Sequence, residues 1–277
     1  EQYYVDGKLD GVMKTYFEDG TIRTEENYKQ ARLHGFYKTY HPNGQLETLS
    51  EHEQGSKTGD FKTFDNQGNL ILEGHHLNGE LEGENVAYYP DGNIKHTYTY
   101  KAGKRQGQST EYYPSGNIQT ISIYSNGGKD SKQTAYYDKD QVQSRKTFAN
   151  GQPTGKWSYF YTSGKLEKEE QYVSGKLNEL KSVYYENGRK KYEAEYQLGR
   201  IMGKEQQYFD NGQLEFEQVY KSGKKHGSYS AYHQNGEMKE SGSYTANRKT
   251  GKWEYFDDKG QLTKIEIYKN GKLVIKK

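Results

Sequence analysis

Residues 83–106 read GENVAYYPDGNIKHTYTYKAGKRQ, and the fold prediction rests on this stretch. It begins with glycine, places two tyrosines before Pro-Asp-Gly, and carries a further tyrosine three residues before Gly-Lys. The same pattern recurs every 24 residues without an insertion or deletion, as in repeat proteins built from one supersecondary element. Eleven copies fill residues 11–274, the tail of another copy occupies residues 1–10, and residues 275–277 form a C-terminal tail. Positions 1 to 24 of each repeat are counted from Gly11.

Glycine and aromatic residues keep fixed positions in this frame. Position 6 is aromatic in all eleven repeats, position 10 is glycine in ten, and position 12 is aliphatic or methionine in ten. Position 18 is Tyr or Phe in nine repeats, and His52 and His76 occupy it in the other two. Three glycines fall outside the frame, namely Gly74, Gly128 and Gly242. Most glycines are therefore placed by the geometry of the backbone.

The Tyr-Pro-Asp-Gly sequence at residues 89–92 indicates a tight turn. Proline favours the second position of a type I turn, and the following glycine accepts the left-handed conformation of a three-residue hairpin loop. Each repeat is thus predicted to form a β-hairpin. The predicted fold class is all-β, an elongated single-sheet array of antiparallel β-hairpins.

Strand alternation suggests which side chains pack and which face solvent. Positions 6, 12 and 18 are all even, so we expect their side chains to pack on one sheet face. Positions 3, 5 and 7 are then expected on the opposite, exposed face. Position 7 is tyrosine in five consecutive repeats and is His or Asp in four repeats toward the two ends, at His41, Asp65, His233 and Asp257, which makes this row the candidate binding site. The predicted binding residues are Tyr89, Tyr113, Tyr137, Tyr161 and Tyr185 at position 7, together with Trp157 at position 3.

The amino-acid composition limits the kinds of binding site and reaction that the chain can support. The net charge of +2 gives no electrostatic case for a nucleic-acid partner, and the absence of cysteine excludes disulfides and thiolate metal sites. No sequence motif of a metalloprotease, dinucleotide site, NTPase or serine hydrolase occurs, so we expect no catalytic activity and no cofactor. His52, His75 and His76 raise the alternative of a metal site. One repeat step separates His52 from His76 by about 9.6 Å, so we expect both to replace ladder rings and His75 to point to the opposite face.

The Tyr-x-x-Gly-Lys-x-x-Gly-x-Trp-x-x-Phe-x-x-x-Gly-x-Leu series, clearest at residues 172–188 and 244–262, resembles the variant MORN repeat. The resemblance implies a hairpin array that binds partners without catalysis, and bacterial arrays of this kind are grouped as antitoxin-like. We therefore expect a protein partner, bound by a monomer or within a hetero-complex. The alternative is a cell-envelope protein that contacts carbohydrate, lipid or another envelope component. The chain starts without Met, which suggests processing and leaves both the bacterial cytoplasm and the envelope open.

Overall fold

The computed structural model describes residues 2–277 and divides them into two compact units, one ending at Asp140 and the other covering Gln141–Lys277. Both units consist of antiparallel β-strands, which confirms the all-β hairpin prediction. A short 3-10 turn at Asn126–Gly128 is the one helical segment in the described residues. None of these residues forms a helix with the length and apolar character that a membrane crossing requires.

The first unit contains a small two-stranded sheet and a long sheet in which sequence neighbours pair. Its strands are β1 (Tyr4–Val5), β2 (Lys8–Leu9), β3 (Gly11–Tyr16), β4 (Ile22–Lys29), β5 (Arg32–Tyr40), β6 (Leu46–Glu53), β7 (Ser56–Phe64), β8 (Leu70–Leu77), β9 (Glu80–Leu81), β10 (Gly83–Tyr88), β11 (Ile94–Lys101), β12 (Lys104–Tyr112), β13 (Ile118–Ser125) and β14 (Asp130–Tyr136). The short strand β9 and the following β10 both pair with β8.

The second unit repeats this arrangement. Its strands are β15 (Val142–Ala149), β16 (Gln152–Phe160), β17 (Leu166–Val173), β18 (Lys176–Leu177), β19 (Glu179–Tyr184), β20 (Lys190–Gln197), β21 (Arg200–Tyr208), β22 (Leu214–Lys221), β23 (Lys224–Tyr232), β24 (Met238–Thr245), β25 (Arg248–Phe256), β26 (Leu262–Lys269) and β27 (Lys272–Lys276). In both units the second strand of every hairpin begins at position 12, from Ile22 to Leu262. The strands therefore follow the 24-residue period of the sequence.

The register within each hairpin corrects the predicted faces. Tyr112 lies opposite Ile118, so position 6 opposes position 12 as expected. A bulge between Glu111 and Tyr112 then shifts the pairing, and Gly107 at position 1 lies opposite Tyr124 at position 18. One extra residue moves every later side chain to the other face. The prediction that positions 6 and 18 share a face is therefore wrong.

Two faces result, which we name by the positions they carry. The ring face holds positions 1, 3, 5, 14, 16 and 18, and the charged face holds positions 2, 4, 6, 15 and 17. On the charged face, for example, the Glu25 carboxylate lies 3.3 Å from the Lys14 ammonium and 3.2 Å from that of Lys38. The hydrogen bond from Lys38 is the main reason that the pKa of Glu25 lies below its usual value. Exposed pairs of this kind contribute only about 0–1 kcal/mol each.

The aromatic core lies on the ring face. Trp253 at position 3 is fully buried, and its ring centroid lies 5.1 Å from that of Tyr244 and 6.4 Å from that of Tyr268, both at position 18. Tyr37 with His52 and Phe61 with His76 repeat this arrangement at 5.8 Å and 4.7 Å. Both histidines thus replace position-18 rings, as predicted. The prediction that position 3 is exposed is wrong, because the bulge places it beside position 18.

Two of the three glycines outside the frame now have a packing reason. Gly74 and Gly242 occupy position 16, directly opposite the aromatic position-3 residues Phe61 and Tyr229. A Cβ atom at Gly74 would lie 2.1 Å from Asn85 Oδ1, and one at Gly242 would lie 2.2 Å from the Trp253 ring. Real Cβ atoms do not approach so closely. These glycines let side chains from neighbouring strands lie directly on the backbone.

Candidate functional site

The tyrosines of position 7 lie at the hairpin turns of the two units. The Tyr89 N–H donates to the carbonyl of Asn93 at 2.8 Å, and the Gly92 N–H donates back to the Tyr89 carbonyl at 2.9 Å. Tyr113 makes the corresponding pair of bonds with Asn117 and Gly116. The row is therefore set by turn geometry rather than by the alternation of a strand. We call Tyr89, Tyr113, Tyr137, Tyr161 and Tyr185 the turn tyrosines, and all five are half-buried.

Four of the turn tyrosines donate a hydrogen bond from the hydroxyl to the next repeat. In the first unit, the Tyr89 hydroxyl donates to the Tyr112 carbonyl and the Tyr113 hydroxyl to the Tyr136 carbonyl, both at 2.8 Å. In the second unit, the Tyr161 hydroxyl donates to the Tyr184 carbonyl at 2.6 Å. The Tyr185 hydroxyl donates to the Tyr208 carbonyl at 2.8 Å. The acceptor is always the carbonyl of position 6, so each bond joins two consecutive turns.

Histidine makes the same connection in two of the six repeats without a turn tyrosine. A ring nitrogen of His41 lies 3.0 Å from the Phe64 carbonyl, and that of His233 lies 3.2 Å from the Phe256 carbonyl. Asp65 and Asp257 instead accept backbone N–H groups of their own turns, at 2.8–2.9 Å. The enrichment of tyrosine at position 7 thus has a structural cause that the sequence did not reveal. Histidine at the same position was the one sequence signal for it.

Trp157 does not join the turn tyrosines. It is only 9% exposed and lies on the ring face, with its ring centroid 4.6 Å from Tyr172 and 5.0 Å from Phe148. Its indole N–H donates to the Thr147 carbonyl at 3.0 Å. The prediction that Trp157 stands exposed beside Tyr161 is wrong, because position 3 belongs to the packed face. The binding role of the turn tyrosines stays a prediction.

The turn tyrosines differ from the exposed rings expected from the sequence in one further respect. Burial raises the pKa of Tyr161 and of Tyr185, and nearby carboxylates add to the effect. Their hydroxyls therefore stay protonated and keep donating at neutral pH. Because all five side chains are half-buried, each keeps some surface that a partner can contact.

We expect Tyr113→Phe to lower the free energy of unfolding by about 1 kcal/mol, because it removes one hydrogen bond and leaves the Tyr136 carbonyl without its donor. The measurement is urea denaturation of the whole chain. Tyr112→Phe is the matched control, since its hydroxyl has no hydrogen-bond partner within residues 2–277. Equal stability of the Tyr113 variant and the unsubstituted protein would show that the bond contributes nothing.

The ring face also carries buried carboxylates among its rings. Glu266 is 7% exposed and accepts the hydroxyls of Tyr255 at 2.7 Å and Tyr268 at 2.9 Å. The Lys264 ammonium lies 3.2 Å away. The hydrogen bond from Tyr255, followed by those from Tyr268 and Lys264, lowers the pKa of Glu266 to about 2. The carboxylate is therefore charged in the folded protein at neutral pH.

This depressed pKa predicts an acid-dependent loss of stability. The unfolded carboxyl titrates near 4.5, so its contribution is complete above that pH and is lost as the pH falls toward 2. Glu266→Gln should be less stable than the unsubstituted protein at pH 7, and the difference should shrink between pH 4.5 and 2. Urea midpoints at several pH values test this, with the exposed Glu237→Gln as control. A difference independent of pH would contradict it.

His52, His75 and His76 are divided between the two faces. His75 lies on the charged face, as predicted, with Nδ1 2.8 Å from the Asp60 carboxylate. His52 and His76 pack on the ring face, and burial lowers the pKa of each. Within residues 2–277, no group of three or more His, Asp or Glu side chains is arranged to hold a metal ion.

Comparison with known proteins identifies the repeat. The family model described as the MORN repeat variant matches eight segments that together cover more than half of the chain. These segments are residues 9–30, 33–54, 81–102, 105–126, 153–174, 203–222, 225–246 and 249–276. No curated protein matches this chain.

Two solved structures resemble this chain distantly. The structure of TcdB2-TccC3-Cdc42 is 11% identical over 94% of this chain, with a TM-score of 0.17. The structure of TcdB2-TccC3 is 13% identical over 95% of this chain, with a TM-score of 0.18. The chain spans 17% of the length of each of these proteins. TM-scores this low carry no argument about shared structure or function.

Proposed function

Because the chain belongs to the MORN repeat variant family, we propose that it is a non-catalytic scaffold whose turn tyrosines bind a protein partner. An antitoxin-like or immunity-like role, in which the partner is held inactive, is part of this proposal. The observation that carries it is the set of half-buried tyrosine rings at the turns of each unit, of which four are fixed by a hydrogen bond from the hydroxyl.

Fixed tyrosine rings suit protein recognition for two reasons. Tyrosine is enriched among the residues that dominate binding energy at interfaces, where it offers a large apolar area. A side chain held in one rotamer before binding loses little conformational entropy when a partner arrives. The bonds from Tyr89 and Tyr113 to the following turns supply that order in the first unit, and those from Tyr161 and Tyr185 supply it in the second.

Cations beside the rings add selectivity. The Lys95 ammonium lies 5.9 Å from the centroid of the Tyr89 ring, and the Lys191 ammonium lies 5.3 Å from that of Tyr185. Both lysines occupy position 13, within the turn-proximal part of the second strand. A partner that offers carboxylates around an apolar patch would therefore find both chemistries together, and charge complementarity would set its orientation.

The test separates the ring from its hydroxyl. The partner is first isolated from extracts of the source cells on the immobilised chain, and its affinity is then measured with purified proteins. Tyr89→Phe with Tyr113→Phe keeps both rings but removes the hydroxyl bonds that order them, so it should weaken binding by about threefold, less than loss of the rings does. Tyr89→Ser with Tyr113→Ser removes the rings and should weaken binding by about tenfold or more, the range expected for two interface tyrosines.

The control lies on the other side of the same unit. Phe36 and Ile123 are exposed on the charged face, and Phe36→Ser with Ile123→Ser should leave affinity unchanged. Thermal denaturation checks that every variant is folded under the binding conditions. Unchanged affinity in the serine variant, or a loss confined to the charged-face variant, would place the partner elsewhere and overturn the proposal.

A further inference from the structure

The ring face of the first unit contains a gap in its row of aromatic side chains. Position 3 carries a ring in Tyr37 and Phe61, but Asn85 and Ser109 occupy it in the next two repeats. Position 5 of the repeat that contains Asn85 is also small, being Ala87. A cavity of about 370 Å³ lies at this gap. Its volume falls within the range of small-molecule sites, about 300–1,000 Å³.

Aromatic side chains stand on both sides of the gap. Strand β10, which carries Asn85, lies between β8 and β11. Phe61 and His76 lie tilted at 49° with centroids 4.7 Å apart on one side, and His96 and Tyr98 stack on each other with centroids 4.0 Å apart on the other. Strands two steps apart are separated by about 9.6 Å. A flat ring about 3.5 Å thick fits within that width. His96 and Tyr98 stack on each other, so they would contact such a ring through their edges, which is a favourable aromatic geometry.

The floor of the cavity is low because of specific residues. Gly74 has no side chain, and any Cβ there would collide with Asn85 Oδ1 and the Phe61 ring. The Asn85 side chain lies close to the backbone of the neighbouring strand, since its Oδ1 accepts the His75 backbone N–H at 3.3 Å. The glycine outside the repeat frame and the missing ring at position 3 thus produce the gap together.

The charge of the lining selects an anion. Lys57 is the one side chain with a full charge among the described residues that line the cavity, and no carboxylate is among them. Within residues 2–277, no carboxylate lies within ion-pair distance of the Lys57 ammonium. Burial, together with Lys57, lowers the pKa of His76, and burial lowers that of His96, so both imidazoles are neutral at pH 7.

The ring face of the second unit shows what this cavity lacks. There the Tyr229 hydroxyl donates to the Glu240 carboxylate at 3.2 Å, and the Tyr255 hydroxyl donates to Glu266 at 2.7 Å. The Lys249 ammonium lies 3.9 Å from the Trp253 ring centroid, so cation, ring and carboxylate occur together within the protein. At the cavity of the first unit, the cation and the aromatic sides are present, but the ring at position 3 is missing, and the nearby Glu111 carboxylate accepts the Tyr98 hydroxyl at 2.6 Å and forms no ion pair with Lys57.

We propose that this cavity binds a small, flat aromatic carboxylate, with its ring between the two aromatic sides and its carboxylate at the Lys57 ammonium. The ligand would supply the ring that position 3 supplies in the second unit, together with an anionic partner for Lys57. The site lies on the ring face, away from the turn tyrosines, and does not depend on the proposed protein partner.

Three matched probes test the proposal by isothermal titration calorimetry on the whole chain at pH 7. The probe 2-naphthoate has the flat ring and the charge, 2-naphthamide has the ring alone, and decahydro-2-naphthoate has the charge without the flat ring. We expect 2-naphthoate to bind at least tenfold more tightly than either of the others. Equal affinity for all three, or no binding of 2-naphthoate, would overturn the proposal.

Two variants locate the binding. Lys57→Met should weaken the binding of 2-naphthoate at least fivefold and leave the binding of 2-naphthamide unchanged. Lys129 occupies the same exposed repeat position outside the cavity, so Lys129→Met should change the affinity for neither probe. Asn85→Phe restores the ring that other repeats carry at position 3 and should abolish binding. Circular dichroism checks that each variant is folded. If Asn85→Phe does not fold, the comparison of Lys57→Met with Lys129→Met still tests the location of the site. Equal effects of the two lysine variants would contradict the site.

Discussion

Replacing Trp253 by alanine should lower the free energy of unfolding by about 3–5 kcal/mol, the range for a buried aromatic side chain. Trp253 is the largest fully buried side chain among the described residues. Its ring lies against Tyr229 and Tyr244, with centroids 5.6 Å and 5.1 Å away, and the Lys249 ammonium lies 3.9 Å from its centroid. Alanine would leave a cavity that three neighbouring strands cannot close without moving.

Urea denaturation measures this effect. Unfolding is monitored by circular dichroism rather than by tryptophan fluorescence, because the variant lacks Trp253. Leu262→Ala is the control, because Leu262 lies in the same hairpin but is 50% exposed, and we expect it to cost less than about 1 kcal/mol. Comparable losses in the two variants would show that the ring face is not the core of the second unit. The same result would restore the sequence-based assignment of the packed face to position 12.

Gly242→Ala should cost about 2–3 kcal/mol, although it adds a single methyl group to a strand. The new Cβ atom would lie 2.2 Å from the Trp253 ring, so either the ring or the strand must move. Overpacking a tightly packed site typically costs about 1–3 kcal/mol. The backbone of Gly242 does not adopt a left-handed conformation, so the cost comes from the collision alone.

A double-mutant cycle tests this cause directly. If the collision with Trp253 is the reason, Gly242→Ala should cost almost nothing in the Trp253→Ala background, because alanine leaves room for the methyl group. The coupling energy between the two positions should then be about as large as the cost of Gly242→Ala itself, within the range for residues in contact. Additive losses would mean that Gly242 serves the backbone and not the ring.

The hairpins could be predicted from the sequence because turn chemistry is local. The Tyr-Pro-Asp-Gly turn at residues 89–92 specifies its own backbone, and the structure has the predicted glycine-containing turn there. Repetition of that signal every 24 residues then fixes where each strand begins. Nothing beyond neighbouring residues was needed for this part of the fold.

The assignment of faces failed because it depends on pairing across strands. Alternation was carried from position 12 to position 18 without the bulge seen between Glu111 and Tyr112. A second shift occurs between repeats, as at Tyr98 and Tyr100. Gly74 and Gly242 could have revealed the correct face, since glycine in mid-strand indicates a close approach, here by the ring of position 3.

The candidate site was located only in part for a related reason. The sequence identified the row of turn tyrosines but not the hydroxyl bonds from Tyr89 or Tyr161, because these depend on the distance between consecutive turns. The cavity of the first unit was also missed. It arises from residues that are absent from their usual positions, and only the packing of Phe61 against Gly74 and Asn85 shows that the space stays open.

The bonds between turns bear on how such a chain changes its length during evolution. Each one joins a side chain at position 7 to a backbone carbonyl at position 6 of the following repeat, as from Tyr113 to Tyr136 and from Tyr185 to Tyr208. A carbonyl is present whatever residue occupies position 6, so the acceptor does not depend on sequence. Unequal recombination that duplicates or deletes one whole repeat therefore creates a junction with its acceptor already in place. The number of repeats can then change in evolution although no new interaction between repeats has to arise.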